Sequence, residues 1–318
     1  MIFPKTYRPN PANSAHKPLY NHVIFVLVAT CLMACSRDII EPNTDQMAAG
    51  PVIECILTTD SHHVVHYTRV VGISDPFNPQ TNATITLSRP NQKSGIAQSL
   101  ANGTYVLSDF PLNPRDTFQF QLTAPLDTVL LTDVMPSAVS FTKTDTATQA
   151  IAGIGLTQVF TVQFRDSAID ENYYRITAQQ QIKNYVISAD GRPIDSSTTW
   201  KTMQIDGNET PFLRNNFNNY TEQEILFSDD IFNGVLTTFK FHNLLPFNNS
   251  KTSKTIAVKI TLENMSLATY QFYNSRAEHL WSQKSITQLP GPVQSNIPNG
   301  YGVIGARTKT EWIIPYPY

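Results

Sequence analysis

Residues 256–262 read Ile256-Ala-Val-Lys-Ile-Thr-Leu262, with large apolar side chains at every second position. A period of two places Ile256, Val258, Ile260 and Leu262 on one face of a strand, and a helix would scatter them. Working outward, shorter runs share the pattern: Phe160-Thr-Val-Gln-Phe164, Tyr174-Arg-Ile-Thr-Ala178, Phe239-Lys-Phe241, Thr84-Ile-Thr-Leu87 and Phe118-Gln-Phe-Gln-Leu122. Val52–Thr58, Val64–Val71 and Thr104–Leu107 join them. Asp60-Ser61 and Asn102-Gly103 supply turns between strands. Short alternating strands punctuated by turns predict a mainly β chain of antiparallel, sandwich-like modules, not a parallel βαβ sheet.

Two such modules are expected. The first, immunoglobulin-like or prealbumin-like, occupies 51–136. Residues 137–155, rich in Ser, Thr and Ala, read as a linker or a strand pair. A β-rich C-terminal domain covers 156–318. One segment there changes period. Leu267, Tyr270, Tyr273, Ala277, Leu280 and Trp281 recur at three- and four-residue steps, which predicts an amphipathic helix over 266–282 with Ser266 as N-cap. Asn299-Gly300 then turns the chain into Gly302–Ala306, and Trp312-Ile-Ile reads as the last strand.

Composition narrows the class. The chain has 318 residues, 15% of them charged, and a net charge of −2. That charged share is low for a globular domain. A near-neutral charge leaves no electrostatic footprint for nucleic acid. Twenty-one Pro and thirteen Gly argue against long helical repeats and collagen.

The N-terminus reads as an address, residues 1–34 being a lipoprotein signal peptide. Val23–Ala34 is an apolar run too short for a spanning helix, which needs ~20 residues. Lys5, Arg8 and Lys17 precede it, and no acidic residue occurs before Asp38. This is the layout of a secretory signal. It ends in Leu32-Met33-Ala34-Cys35, which resembles a bacterial lipobox. In that resemblance Cys35 takes a thioether-linked diacylglycerol, the chain is cut before it, and the new amino group is acylated. Several acyl chains anchor stably where one alone is marginal. A polar tether, 35–50, follows. Ser36 in place of Asp favours the outer membrane by analogy. Cys31 leaves with the signal, so Cys55 remains as the unmodified thiol and no intrachain disulfide forms. In its apolar surroundings Cys55 reads as a buried small hydrophobe.

Three stretches together resemble a known family. They are the lipobox followed by Val52–Leu57, the motif Phe227-Ser-Asp-Asp-Ile-Phe-Asn-Gly234, and Ser295-Asn-Ile-Pro-Asn-Gly-Tyr-Gly-Val-Ile-Gly-Ala306 after a Tyr-rich helix. The chain is similar to a Bacteroidota family of uncharacterised lipoproteins, domain of unknown function 4249. It departs from the pattern at Ile304, where an aromatic residue is expected. The resemblance implies an outer-membrane lipoprotein, often encoded beside a TonB-dependent receptor, and it carries over no catalytic residue and no cofactor.

The candidate chemistry is sparse. Asp60, His62, His63 and His66 form the one histidine cluster. On a strand His62 and His66 lie some 13 Å apart at ~3.3 Å per residue, too far to share an ion. These histidines read as solvated strand-edge residues, with no metal site expected. Asp229-Asp230 with Asn233-Gly234 lacks the EF-hand ligand order and reads as a turn closed by Asx hydrogen bonds. No nucleophile elbow, phosphate loop, dinucleotide fingerprint or zinc motif occurs. The long polar loop around Arg214, Asn216, Phe217 and Tyr220 is the expected partner-binding surface. Trp200, Trp281 and Trp312 could stack on sugars, though such spacing suits a core better. Asp127-Thr128-Val129, Asp145-Thr146-Ala147 and Asp166-Ser167-Ala168 resemble Bacteroidota O-glycosylation acceptors at Thr128, Thr146 and Ser167. The expected function is a non-catalytic accessory subunit, anchored in the outer membrane on its periplasmic or cell-surface face and partnered by a TonB-dependent receptor. The alternatives are a lipid-anchored hydrolase and a structural or adhesion component of the envelope.

Overall fold

The computed structural model describes residues 49–70, 78–90, 92, 94–151, 155–206, 223–230, 232–243, 250, 252–284, 289 and 291–315. Eighteen strands and one helix are described. The first module carries β1 (Gly50–Leu57), β2 (His63–Val70), β3 (Asn78–Pro79), β4 (Thr84–Ser88), β5 (Gly95–Ile96), β6 (Gln98–Ser99), β7 (Thr104–Leu107), β8 (Thr117–Thr123) and β9 (Thr128–Val134). The second carries β10 (Phe141–Ile151), β11 (Gly155–Arg165), β12 (Tyr173–Ile187), β13 (Pro193–Thr202), β14 (Ile205–Asp206), β15 (Glu224–Ser228), β16 (Leu236–Asn243) and β17 (Ser253–Met265). Helix α1 (Leu267–Lys284) and β18 (Tyr301–Pro315) complete the chain. Residues 137–155, read as a linker or a strand pair, contain β10, which pairs antiparallel with β11. No described helix is long and apolar enough to cross a membrane.

The mainly β, antiparallel class read from the alternation is what the structure shows. One sheet runs β13-β12-β17-β18-β1-β2-β7-β6, with β15 also on β12 and β3 also on β2. Two four-stranded sheets face it, β5-β4-β8-β9 and β10-β11-β16-β14. Each encloses a core. Ile53, Cys55, Leu57, Tyr67, Tyr105, Phe118 and Phe120 fill the first. Phe160, Phe164, Tyr174, Ile176, Phe227, Phe239, Phe241 and Ile260 fill the second. Rings pack closely in the second, with the tilted pairs Phe227–Phe239 and Phe164–Tyr174 at centroid separations of 4.6 Å and 4.9 Å. Such pairs add ~0.5–1.5 kcal/mol beyond the area they bury.

Strand β18 serves both sandwiches. Residues 301–306 run parallel to β1, the one parallel pairing described, and residues 307–315 run antiparallel to β17. Ile304 and Ala306 therefore belong to the first core, while Trp312 and Ile314 pack on the second. The module drawn over 156–318 thus supplies a strand to its neighbour. The glycines of the 295–306 motif make this possible. Gly302 has φ +99°, and a Cβ there would lie 2.1 Å from the Ile53 carbonyl oxygen. Gly305 lies under the helix, where a Cβ would meet Thr269 Oγ1 at 2.1 Å. Asn296 completes the device: its amide donates to the Ile304 carbonyl at 2.7 Å and accepts the Ile304 N–H at 3.0 Å. Ile304, the departure from the family pattern, is fully buried.

Helix α1 falls where the three- and four-residue spacing puts it, and its buried face matches in part: Ala277 is buried with Leu226 and Met265, and Tyr270 and Tyr273 pack against them. Leu267, Leu280 and Trp281 are 48%, 41% and 46% exposed, whereas Thr269, Ser275, Ala277 and Ser282 are buried. The sheet beneath it combines the apolar Leu226 and Met265 with the charged Arg175 and Glu263, and β18 comes close at Gly305, where small side chains approach best. The Ser275 and Ser282 hydroxyls satisfy themselves on helix carbonyls at 2.8 Å. Ser266 flanks the helix as expected, but its hydroxyl accepts the Ala306 N–H at 3.2 Å and so ties the helix start to β18.

Candidate functional site

Cys35 and the loop residues Arg214, Asn216, Phe217 and Tyr220 lie outside the described residues. Of the three proposed acceptor positions, Thr128 is exposed at the start of β9, while Thr146 and Ser167 are half-buried. Asp127, before Thr128, is buried and accepts from the Tyr67 hydroxyl at 2.6 Å and from Arg69 Nε at 3.2 Å. Thr146 accepts from the Gln158 amide. The Ser167 carbonyl is held by Asn172 at 3.0 Å.

The histidine cluster divides. His62 and His66 are exposed, the second beside Thr104 Oγ1 at 3.3 Å. His63 is not a solvated edge residue. It starts β2 in phase with Val65 and Tyr67, is buried, and its Nε2 bonds the Phe110 carbonyl oxygen at 2.8 Å. Burial pushes its pKa down. Among the described residues no group of three or more His, Cys, Asp or Glu could hold a metal ion. Cys55 is buried, and its thiol is pushed up to about 12, chiefly by that burial. Trp200 lies on β13, whose residues are all exposed, with Lys259 Nζ 4.9 Å from its ring.

The turn read at Asp229-Asp230 is present and joins two loops at one end of the second sandwich. Asp229 Oδ2 accepts the Asn172 backbone N–H at 3.1 Å and its side-chain amide at 3.3 Å. Gly234, at φ +74°, donates its N–H to Asp166 Oδ2 at 2.8 Å. The Tyr174 hydroxyl donates to the other Asp166 oxygen. Asn172 is thereby fixed at the rim of a cleft of about 360 Å³ between the sandwiches.

The cleft joins the end of β9 to the start of β12 and the end of β17. Asp133 and Met135–Ser137 form one side, Asp170–Tyr173 the second, and Asn264–Leu267 the third. Arg115 and Asp170 pair across the mouth at 3.0 Å, both about half exposed. Deeper, Asn264 is 1% exposed. Its amide nitrogen donates to the Ser137 carbonyl at 3.1 Å and to Asn172 Oδ1 at 2.8 Å. Its Oδ1 has no partner, and neither has Asp133 Oδ2, although both atoms are buried. The Asp133 carboxyl is held above the usual carboxylate range, mainly by burial, an effect that Ser266 and the Val134 N–H offset only in part. Leaving a buried acceptor unmet costs ~1–3 kcal/mol, more when it is charged. An ordered water, an ion or local strain accounts for such atoms in native proteins.

Comparisons with known proteins place the sequence. A family model, Domain of unknown function (DUF4249), matches residues 37–312. The chain belongs to the DUF4249 family. The matched span contains both sandwiches, the cleft and most of β18, so the fold described here is a DUF4249 fold. No curated protein matches this DUF4249 chain. Among solved structures, it is similar to the Yersinia pseudotuberculosis adhesin InvE at 16% identity and a TM-score of 0.20, over 69% of this chain and 56% of that one. A DUF4785 family protein from Legionella pneumophila shares 11% identity at a TM-score of 0.19, over 67% and 52%. Chitinase ChiA74 from Bacillus thuringiensis shares 9% at 0.16, over 62% and 27%. The chain therefore spans about half or less of each of these proteins.

Nothing in the spacing of Asp133 and Asn264 marks them as a pair. They are 131 positions apart and end different strands. The signal that could have pointed to them is a polar residue continuing a strand whose other positions are buried. In β17 the last six positions, Ile260 to Met265, are all buried, and Thr261, Glu263 and Asn264 interrupt the apolar pattern. Glu263 is explained by charge: it holds Arg175 at 2.6 Å and Arg307 at 2.8 Å. Asn264 is only half explained by its own hydrogen bonds.

Proposed function

We propose that this DUF4249 chain is a lipid-anchored outer-membrane protein that binds rather than transforms its ligand, acting as an accessory subunit beside a TonB-dependent receptor. The observation that carries the binding reading is the inter-sandwich cleft of about 360 Å³, lined by residues from three strand ends. Its lining offers carboxyls, amides and hydroxyls, and no histidine, cysteine or lysine. Groups of this kind hold donors and orient them. The lipobox ending at Cys35 supports the anchor, and the family resemblance supports the receptor partnership. In this reading the lipid fixes the chain to the membrane, the tether sets its reach, and the loop containing Arg214, Asn216, Phe217 and Tyr220 meets the receptor.

The test is capture from native membranes. The tagged lipoprotein should copurify with an outer-membrane β-barrel, and Cys35→Ala should abolish fatty-acid labelling and membrane fractionation. Recovery without any barrel sinks the receptor partnership and favours an envelope-structural role. Turnover of ester, peptide or glycoside substrates by the purified protein would instead favour the hydrolase.

A further inference from the structure

We propose that the outer edge of β13 is a self-pairing interface, through which two copies of this chain join their ten-stranded sheets antiparallel about Thr198. The inference goes beyond the accessory role and is independent of the cleft. β13 ends its sheet and, among the described strands, pairs with β12 alone. All ten of its residues are exposed. From Asp195 to Thr202 it follows β12 without a register shift. That regularity fixes which backbone groups face outward. Tyr185, opposite Ser196, turns its N–H away from β13 to the Thr252 carbonyl at 2.8 Å. Ser196 is therefore at a non-hydrogen-bonded position against β12, and Ser196, Thr198, Trp200 and Thr202 turn their backbone N–H and C=O groups to the open edge. The Ser196 N–H is met there by its neighbour Asp195, at 2.7 Å. Native edges of this kind are guarded by proline, bulges, charges or shortness. At the other end of the sheet β6 is two residues long. Ser196-Ser-Thr-Thr-Trp200 has no such guard, with neither proline, glycine nor charge.

Charge selects a second copy as the occupant. Asp195 and Lys201 stand three residues either side of Thr198. Their even separation puts both on one face of the strand. Neither belongs to a described ion pair. An antiparallel pairing centred on Thr198 sets Asp195 of each copy against Lys201 of the other. Both ion pairs fall at non-hydrogen-bonded positions, where facing side chains come closest. Opposite charges directly across a strand pair are favourable there. Outward-facing groups can match only outward-facing groups, so the register moves in steps of two. One step either way leaves both charges opposite neutral residues, Thr199 and Pro193 or Met203 and Ser197. The ion pairs therefore single out one register. In it Ser196 gives its N–H to the Trp200 carbonyl of the other copy, which frees Asp195 for the lysine. The same patch serves both copies, as a two-fold interface requires.

Sedimentation velocity of the full chain in density-matched detergent tests this. The chain should dimerise at or below about 100 μM. Lys201→Asp sets like charges across the interface and should weaken the dimer about tenfold. Adding Asp195→Lys restores complementarity and should restore the dimer. Thr198→Pro removes an N–H that β12 does not use, and proline is tolerated on an edge. That variant should melt as the wild type does and remain monomeric; if it fails to fold, the charge exchange decides alone. Thr198→Cys should crosslink to itself under mild oxidation, because facing Cα atoms ~5.5 Å apart are within disulfide reach. Asp195→Cys should not, since its two copies lie ~20 Å apart along the strands at ~3.3 Å per residue. Cys55 is buried, and the wild-type chain supplies the background. The proposal is overturned by a chain that stays monomeric at that concentration, by a dimer that survives in folded Thr198→Pro, or by a charge exchange that restores nothing. A monomer whose β13 edge is instead protected by a copurified receptor also overturns it, and assigns the edge to that partner. Receptor copurification is read separately, so failure here and failure of the accessory role are distinguishable.

Discussion

Gly305 shows how much can hang on one missing side chain. A Cβ there would lie 2.1 Å from Thr269 Oγ1 and 3.0 Å from Ser266 Oγ. Gly305→Ala should therefore lift α1 from β18 and cost ~1–3 kcal/mol, the usual range for overpacking. Adding Thr269→Ala should return much of that loss. Chemical denaturation of the two single variants and the double variant checks it, and strict additivity would mean the two residues do not oppose each other. Asp133 makes a prediction of opposite sign at neutral pH. Its folded-state pKa is raised by burial, so the folded chain binds a proton there more readily than the unfolded chain does. The contribution to stability is full below the unfolded value of ~3.9 and is lost as pH rises through the folded value. Asp133→Asn should thus stabilise the ligand-free chain at pH 7 and do little at pH 4. An equal gain at both pH values would show that ionisation is not the cause. Neither the strand that carries Asp133 nor its burial was legible: β9 is not among the alternating runs read from the sequence, and the burial depends on residues more than a hundred positions away.

At the scale of the element, α1 separates what periodicity can and cannot say. The three- and four-residue spacing of Leu267, Tyr270, Tyr273 and Ala277 correctly implied a helix. The direction of its buried face was set by what it lands on. Beneath it, Arg175 places its guanidinium 4.2 Å from the Tyr273 ring and pairs with Glu263 and Glu224. A helix over such a floor buries Thr269, Ser275 and Ser282 rather than its leucines. The spacing found the middle of the buried face, at Tyr270, Tyr273 and Ala277, and missed its ends, where Leu267, Leu280 and Trp281 are exposed. The consequence is measurable. Leu280→Ser, at an exposed position, should change stability by no more than ~0.5 kcal/mol. Ala277→Leu, packed with Leu226 and Met265, should cost ~1–3 kcal/mol. Thermal melts of the two variants decide it, and a larger loss at Leu280 would restore the face that the spacing suggests.

At the scale of the molecule, the core strands with clean alternation were legible because that pattern is local, whereas β9 and the wholly exposed β13 were not. Cys55 in the first core and Phe160 to Phe164 in the second could be placed from their neighbours. The joint between the sandwiches was not legible, because the pairing of Val52 with Tyr301 joins residues 249 positions apart. That pairing makes the two sandwiches mechanically dependent. The first core takes Ile297, Ile304 and Ala306 from beyond the helix. Without them β1 loses its pairing with β18, and buried Ile53 and Cys55 lose their cover. Deleting residues 301–318 should therefore destabilise the first sandwich as well as the second, although its own strands remain intact. The expected signature in hydrogen exchange is loss of protection at the β1 and β2 amides together with those of β17, in one cooperative step. A fragment of residues 51–136 should likewise lack stable tertiary structure alone, and supplying the 295–315 segment as a peptide should restore protection in β1. If 51–136 melts cooperatively by itself, β18 is an ornament on the first sandwich and not part of its core.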